Sequence, residues 1–155
     1  MSNIKAVVLN FDGVITDGTV LIGEKGEEFK RYSHFDIAGI FKAKKLGILF
    51  AILTSENSPI TDMFAKKMDI TNVYKFSKEK EKTIQDFASQ NNLSIDQVCY
   101  IGDDKNDIPA MKICGWCACP SNASSDVKKV ANYVSVRAGG NGAIRDIIEK
   151  LFFSN

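Results

Sequence analysis

Histidine is almost missing from this chain: His34 is the only one among 155 residues. That bears on the cysteines, of which there are four, Cys99, Cys114, Cys117 and Cys119. The last three read C-x-x-C-x-C, and a structural zinc site built on them would need a second ligand pair. Only Cys99 and His34 are left to supply one, so the cysteines read as small buried strand residues, with no disulfide framework. Neither sign of charge is in excess: Lys plus Arg number 20 and Asp plus Glu 19, for a net charge of +1. Nothing in this balance points to a strongly basic face for nucleic acid or a strongly acidic one for cations, and no nucleic-acid partner is expected. No apolar run approaches the roughly 18 residues of a membrane span. The first segment, MSNIKAVVLNFDG, enters a strand-like run at once and has no signal-peptide plan, so a cytoplasmic protein is expected. Internal repeats, low-complexity tracts and linkers are absent. The length suits one compact core, so residues 1–155 are expected to form a single domain.

What is present is an alternation of two patterns. Ala6 to Leu9, Ile48 to Leu53 and Val98 to Ile101 are apolar or nearly so, as in strands buried on both faces of a parallel sheet. Between them lie helical spacings. Ile37, Ile40 and Phe41 form one set. Ile60, Met63, Phe64 and Met68 form another, with Pro59 near its start. Glu79 to Asn91 carries Ile84, Phe87 and Ala88 on one face, and Gly142 to Phe152 carries Ile144, Ile147, Ile148 and Leu151. The pattern predicts an α/β doubly wound, mainly parallel sheet. One stretch interrupts it: Thr19 to Tyr32 reads as a β-hairpin around a Gly-Glu-Lys-Gly turn. Its apolar residues Val20, Leu21, Ile22 and Phe29 must either pack on their own domain or pair with another subunit.

Ligands of an open parallel sheet bind at the carboxyl ends of its strands. The first apolar run is followed by Asn10, Asp12 and Gly13. The second is followed by Thr54, Ser55 and Glu56, and the third by Gly102, Asp103, Asp104 and Asp107. The lysine run SKEKEK lies between the last two. Carboxylates suit a hard cation such as Mg²⁺; hydroxyl, backbone N–H and lysine suit a phosphoryl group.

The set N-F-D-G-V-I-T-D-G, L-T-S-E, K-E-K and G-D-D-K-N-D, in that order, resembles the four motifs of the haloacid dehalogenase superfamily of phosphohydrolases. The resemblance implies attack by an aspartate on phosphorus, giving an aspartyl-phosphate, with a second aspartate two residues on as acid and base. It places the nucleophile at Asn10 and the acid/base at Asp12, whose carbonyl would also face the metal. Thr54 and Lys80 would steady the phosphoryl oxygens, Lys80 being preferred to Lys78 because it lies 22 residues before Gly102. Asp103 would ligate Mg²⁺, together with position 10 and Asp12. Asp107 would act through water or by orienting Lys80. Asp104 reads as a further site acid or as a cap of the following helix. Gly13 and Ser55 support these loops.

Asn10 departs from the pattern. Its amide keeps the shape of aspartate but has no anionic oxygen, and it removes one negative charge, so Mg²⁺ is expected to bind more weakly. An Asp-to-Asn change in an otherwise competent enzyme is preferred over a natural variant that binds without turnover, because the other motif positions are intact.

Only the hairpin follows the first motif, and about one helix and one strand fit between Glu56 and Lys80, so no cap domain is expected. The chain most resembles the capless subfamily acting on 2-keto-3-deoxy sugar-acid phosphates. In that subfamily the hairpins of four subunits join and each neighbour covers the next site, which implies a homotetramer. The tail VRAGGNGAIRDIIEK resembles that subfamily's G-G-x-G-A-x-R signature. Within it, Glu two residues after the motif-two Thr goes with nonulosonate (sialic-acid-type) 9-phosphates and Arg with octulosonate 8-phosphate. Glu56, with Lys67 as companion, favours the former; the octulosonate ester and a non-catalytic tetrameric ligand-binding module are the alternatives. Arg137, Gly139 and Gly140 are expected near a neighbouring subunit's site, Arg137 as a carboxylate holder. The loop SHFDIAGI departs from the subfamily's Asp-Gly, since Ile37 follows Asp36; His34 reads as a surface or packing residue.

Overall fold

The computed structural model describes residues 3–154. Six parallel strands form one sheet: β1 (Ala6–Leu9), β4 (Leu49–Leu53), β5 (Asn72–Tyr74), β6 (Val98–Ile101), β7 (Trp116–Cys119) and β8 (Tyr133–Val134). Their order is β5-β4-β1-β6-β7-β8, with β1 pairing β4 on one side and β6 on the other. The order of the chain reverses at β1, which is where such a sheet opens a crevice at its carboxyl edge.

Strand residues alternate between two cores, as the pleat requires. Val7, Leu9, Phe50, Ile52, Cys99 and Ile101 face one cluster; Ala6, Val8, Ala51, Leu53, Val98 and Tyr100 face the other. The first core is closed by α1 (His34–Lys44), α2 (Pro59–Met68) and α6 (Ala143–Phe152), through residues such as Ile40, Phe64 and Ile147. The second is closed by α3 (Lys80–Gln90), α4 (Ile108–Ile113) and α5 (Ser125–Val130), through Ile84, Phe87, Met111 and Val127. Each large aliphatic side chain so buried contributes about 1.5–3 kcal/mol relative to exposure. The helices start where local chemistry directs. Ser33 accepts from Phe35 N at 3.1 Å, and Ser58 from Ile60 N at 3.3 Å with Pro59 opening α2.

Cys99 lies on β6, while Cys117 and Cys119 lie on β7 and are buried as apolar residues. The hairpin consists of β2 (Leu21–Ile22) and β3 (Glu28–Phe29), antiparallel, with Leu21 opposite Phe29. No helix among the described residues is long and apolar enough to cross a membrane.

Three sequence expectations need correction. Helical spacing puts Phe41 and Met63 on the buried helix faces, but both are exposed. Both lie off the buried face, which runs through Ile37, Ile40 and Ala43 on α1 and through Phe64, Ala65 and Met68 on α2. The segment SHFDIAGI is not a loop: Ser33 caps α1 and the rest is helical. Asp36 therefore faces inward, where its carboxylate accepts from Gly142 N (3.0 Å) and Arg145 N (3.1 Å) at the start of α6. Burial pushes its carboxyl above the usual range, against those backbone donors.

Candidate active site

The register of the sheet assembles the site. Leu9 pairs with Ile52 on β4 and Ile101 on β6, so the residues following these three strands emerge side by side. Asn10, Asp12, Thr54, Ser55, Glu56, Lys80, Asp103 and Asp104 line one cleft of about 280 Å³, joined by Gly18 and Asn106. The loop after β1 turns sharply at Gly13, whose φ of +85° suits glycine, and a Cβ there would enter the Asp103 carboxylate. That close approach lets the β1 and β6 loops touch.

At the base of the cleft lies Lys80, the first residue of α3 and only 2% exposed. Its ammonium donates to Asp107 Oδ1 at 2.6 Å and to Asn10 Oδ1 at 3.3 Å. Asp107 is fully buried and also accepts from Tyr100 OH (2.6 Å), Asp103 N (2.9 Å) and Asp104 N (3.1 Å). A buried ion pair persists when its remaining valences are filled in this way. Burial, then the Asp107 carboxylate, push the Tyr100 phenol well up, so it remains a donor. Asp107 thus orients Lys80 directly, and the two Asp backbone amides fix the β6 loop. Asp104 caps the short turn that follows, accepting from Lys105 N at 2.7 Å.

Asn10 sits between the loops. Its amide nitrogen donates to Asp12 O at 3.0 Å and to Asp103 Oδ1 at 2.7 Å. Burial raises the Asp103 carboxyl to about 6; the bond from Asn10 opposes that rise, and Asp107 adds to it. The Asp12 carbonyl and Asp103 carboxylate are hard oxygen donors of the kind Mg²⁺ takes, and the Asn10 carbonyl is a third if it turns toward them. Among the described residues no group of three or more His, Cys, Asp or Glu side chains is placed to hold a metal. The set therefore fits a cation only with the amide and the backbone carbonyl included.

Thr54 is buried at the end of β4, where its hydroxyl accepts from Glu56 N at 3.1 Å. Ser55 donates to Ser77 O at 3.2 Å, and Asn106 donates to Ser55 at 3.3 Å.

Two further groups carry no signal in the sequence. Lys30 leaves the end of the hairpin and binds both carboxylate oxygens of Asp12, at 2.8 and 3.0 Å, with its side chain 5% exposed. Asn122 donates to Gly13 O at 3.0 Å and accepts from Gly139 N at 2.7 Å, pinning the β1 loop from behind. Lys30 is one lysine among many, and only the fold of the hairpin gives it a partner.

Other expected substrate residues lie elsewhere within the chain. Lys67 is on α2, its ammonium 5.4 Å from the Tyr32 ring centre, lining a groove between α2 and the hairpin. Arg137 lines a separate cleft with Phe35 and Arg145. Glu56 alone of that group reaches the Asn10 cleft. Gly139 and Gly140, expected near a neighbouring subunit's site, pack on their own chain: Gly140 N donates to Val14 O at 3.2 Å, and a Cβ at Gly139 would collide with Gly13 O. Their lack of side chains serves a close approach of the tail to the β1 loop. His34 opens α1, its ring 6.4 Å from that of Tyr32.

Comparison with known proteins decides what kind of site this is. A family model described as haloacid dehalogenase-like hydrolase matches residues 17–147. The chain belongs to this family. The 3-deoxy-D-manno-octulosonate 8-phosphate phosphatase KdsC of Escherichia coli (strain K12) is 30% identical over 152 residues, which are 98% of this chain and 81% of that protein. The corresponding phosphatase of Moraxella catarrhalis, crystallised with a magnesium ion, a phosphate ion and a KDO molecule, superposes with a TM-score of 0.93. It is 27% identical, over 97% of this chain and 86% of that one. The cobalt-bound enzyme of Haemophilus influenzae gives 0.92 at 32% identity, over 97% and 88%. The six-stranded sheet and its flanking helices are thus those of this family of hydrolases.

Proposed function

We propose that this chain is a capless, Mg²⁺-dependent phosphomonoesterase for a 2-keto-3-deoxy sugar-acid phosphate, with an amide at its nucleophile position. The observation that carries the reading is the meeting of position 10, Asp12, Thr54, Lys80 and Asp103 in one cleft at the carboxyl edge of the sheet. With aspartate at position 10, a carboxylate oxygen would attack phosphorus and form an aspartyl-phosphate. The ester P–O bond breaks as Asp12, in its protonated form, gives a proton to the leaving alkoxide; Asp12 then takes a proton from the water that attacks phosphorus, releasing phosphate and restoring the position-10 carboxylate. Thr54 and Lys80 hold the phosphoryl oxygens through the hydroxyl and the ammonium. Asn10, Asp12 and Asp103 are the residues to hold the cation, which when bound neutralises charge on the phosphoryl group.

Asn10 lacks an anionic oxygen, so the chain as written turns over far more slowly than its Asn10→Asp counterpart. The replacement is expected to raise the rate by about 10³-fold or more. Glu56 supports a nonulosonate 9-phosphate as substrate. The octulosonate 8-phosphate is the second reading, supported by the KdsC relatives and by the KDO-bound neighbour. The hairpin is proposed to join subunits in a homotetramer, which would bring Lys67 or Arg137 of one chain toward the cleft of another.

The test is phosphate release by the Asn10→Asp protein with Mg²⁺, over a panel of sugar-acid phosphates. Hydrolysis of a nine-carbon ester in preference to the eight-carbon one is expected. Preference for the eight-carbon ester would overturn the role given to Glu56. No release from any ester would favour a non-catalytic binding module.

A further inference from the structure

The Asn10 amide has three polar valences engaged. Its two N–H groups point at acceptors only, the Asp12 carbonyl at 3.0 Å and the Asp103 carboxylate at 2.7 Å. Its oxygen faces a donor only, the Lys80 ammonium at 3.3 Å. Lys80 is fixed in turn by the buried Asp107 at 2.6 Å and cannot turn away without breaking that buried ion pair. The orientation of the amide follows from this arrangement. Turning it over would set oxygen against two oxygens and N–H against an ammonium, losing three hydrogen bonds and creating repulsion on both faces.

An aspartate at the same position would behave in the opposite way. Its carboxylate would face the Asp103 carboxylate and the Asp12 carbonyl with no proton or positive charge between them. Such a cluster needs a cation or a shared proton to hold together. The amide nitrogen supplies the link at the place where these oxygens converge.

We propose that Asn10 substitutes structurally for the cation, its amide bolting the β1 loop to the β6 loop so that the site of this chain is assembled without a divalent ion. Cation binding then requires the amide to turn over against Lys80. The inference rests on the phosphatase reading only in naming Mg²⁺ as the cation. Two results follow. The affinity of this chain for Mg²⁺ is weaker than that of its Asn10→Asp variant by about tenfold or more. The stability of this chain does not depend on Mg²⁺, whereas that of the variant does.

Thermal unfolding and calorimetric titration with magnesium chloride, against an EDTA control, test both at neutral pH. The unmodified chain is expected to keep its Tm within about 1 °C on adding millimolar Mg²⁺, and the Asn10→Asp variant to gain about 5 °C or more. Equal gains, or equal affinities, would overturn the proposal. A second measurement does not need the variant to fold well. The Asn10 side-chain NH₂ resonances of the full chain, identified by their loss in Asn10→Ser, should exchange slowly with solvent and stay in place in millimolar Mg²⁺. Rapid exchange, or a shift that saturates at submillimolar Mg²⁺, would equally overturn it. Failure of the phosphatase reading is seen separately, as absence of phosphate release from the Asn10→Asp protein, and leaves these readouts unchanged.

Discussion

The strand-end wall of the cleft and the hairpin wall beside it, which reaches the cleft through Lys30 on Asp12, are built on different principles. The strand-end wall, from β1, β4 and β6, is over-determined: Asp107 alone accepts from four donors, and one of these, Lys80, donates in turn to Asn10. Among the described residues, the hairpin is tied to the β1 loop only at its base, by the ion pairs Lys30–Asp12 and Arg31–Asp17 and by the bridge between Thr16 and Tyr32, and its strands are two residues each. Leu21 and Ile22 on that hairpin are 73% and 71% exposed. The wall that would handle phosphorus is rigid before any ligand arrives. The hairpin beside it is tied only at its base and presents apolar surface. Chemistry common to a family and selectivity that varies within it call for these two kinds of construction.

The sharpest break of the comparison is at the rigid wall. Asp107→Ala leaves the Lys80 ammonium buried without its carboxylate and frees Tyr100 and two backbone amides. Removing one member of a buried pair costs about 3–5 kcal/mol, so the denaturant midpoint should fall steeply. A loss below about 1 kcal/mol, the range of exposed pairs, would mean that this wall is no more constrained than the other. A smaller effect is expected at Asp36, which acts on the scaffold behind the cleft. Asp36→Ala removes the side chain that receives the first amides of α6, and should cost about 1–3 kcal/mol. Because the tail preceding α6 packs on the β1 loop at Gly139 and Gly140, the same change should also loosen that loop. Faster amide exchange at Gly139 and Gly140 would report it, and unchanged exchange there would confine the effect to the helix.

How much of this is legible in the sequence differs between the walls in the same sense. The strands β1, β4 and β6 are short apolar runs with polar residues directly after them, and a parallel sheet leaves few ways to arrange three such runs. The convergence of Asn10, Asp12, Thr54 and Asp103 can therefore be read from order alone. The exposure of Phe41 and Met63 cannot, because helical spacing gives a face and not its width. Lys30 is hidden for a different reason. A lysine becomes significant through its partner, and Asp12 becomes its partner only when the hairpin folds back over the β1 loop. Asp36 reads as a loop residue because the apolar spacing of α1 begins only at Ile37, whereas the helix itself starts earlier, at the Ser33 cap. Gly139 and Gly140 read as parts of a contact with a neighbouring subunit, although their own chain needs them bare.

At the hairpin wall the expected changes in monomer stability are small and the functional ones larger. Lys30→Met keeps the stem and removes the charge. The pair is partly exposed on the Asp12 side, so its loss should cost about 1 kcal/mol or less. In the Asn10→Asp background it should lower phosphate release while leaving the fold intact, because Asp12 loses the group that aims it. Unchanged turnover would remove Lys30 from any positioning role.

The smallest effect on the fold is expected where the surface is most exposed. Leu21→Ser with Ile22→Ser alters side chains that touch little of their own chain, and surface changes of this kind fall within about 0.5 kcal/mol. If the hairpin joins subunits, the same double change should shift the sedimentation coefficient from that of an assembly to that of a 17.1 kDa monomer. An assembly that survives would put the subunit contact elsewhere, and a large loss of stability in the monomer would mean that the hairpin packs on its own domain after all. Either result would erase the contrast between the walls. A clean monomer of near-original stability would instead show that the hairpin's apolar surface is covered by a second copy of the chain, while the strand-end wall is complete within a single copy.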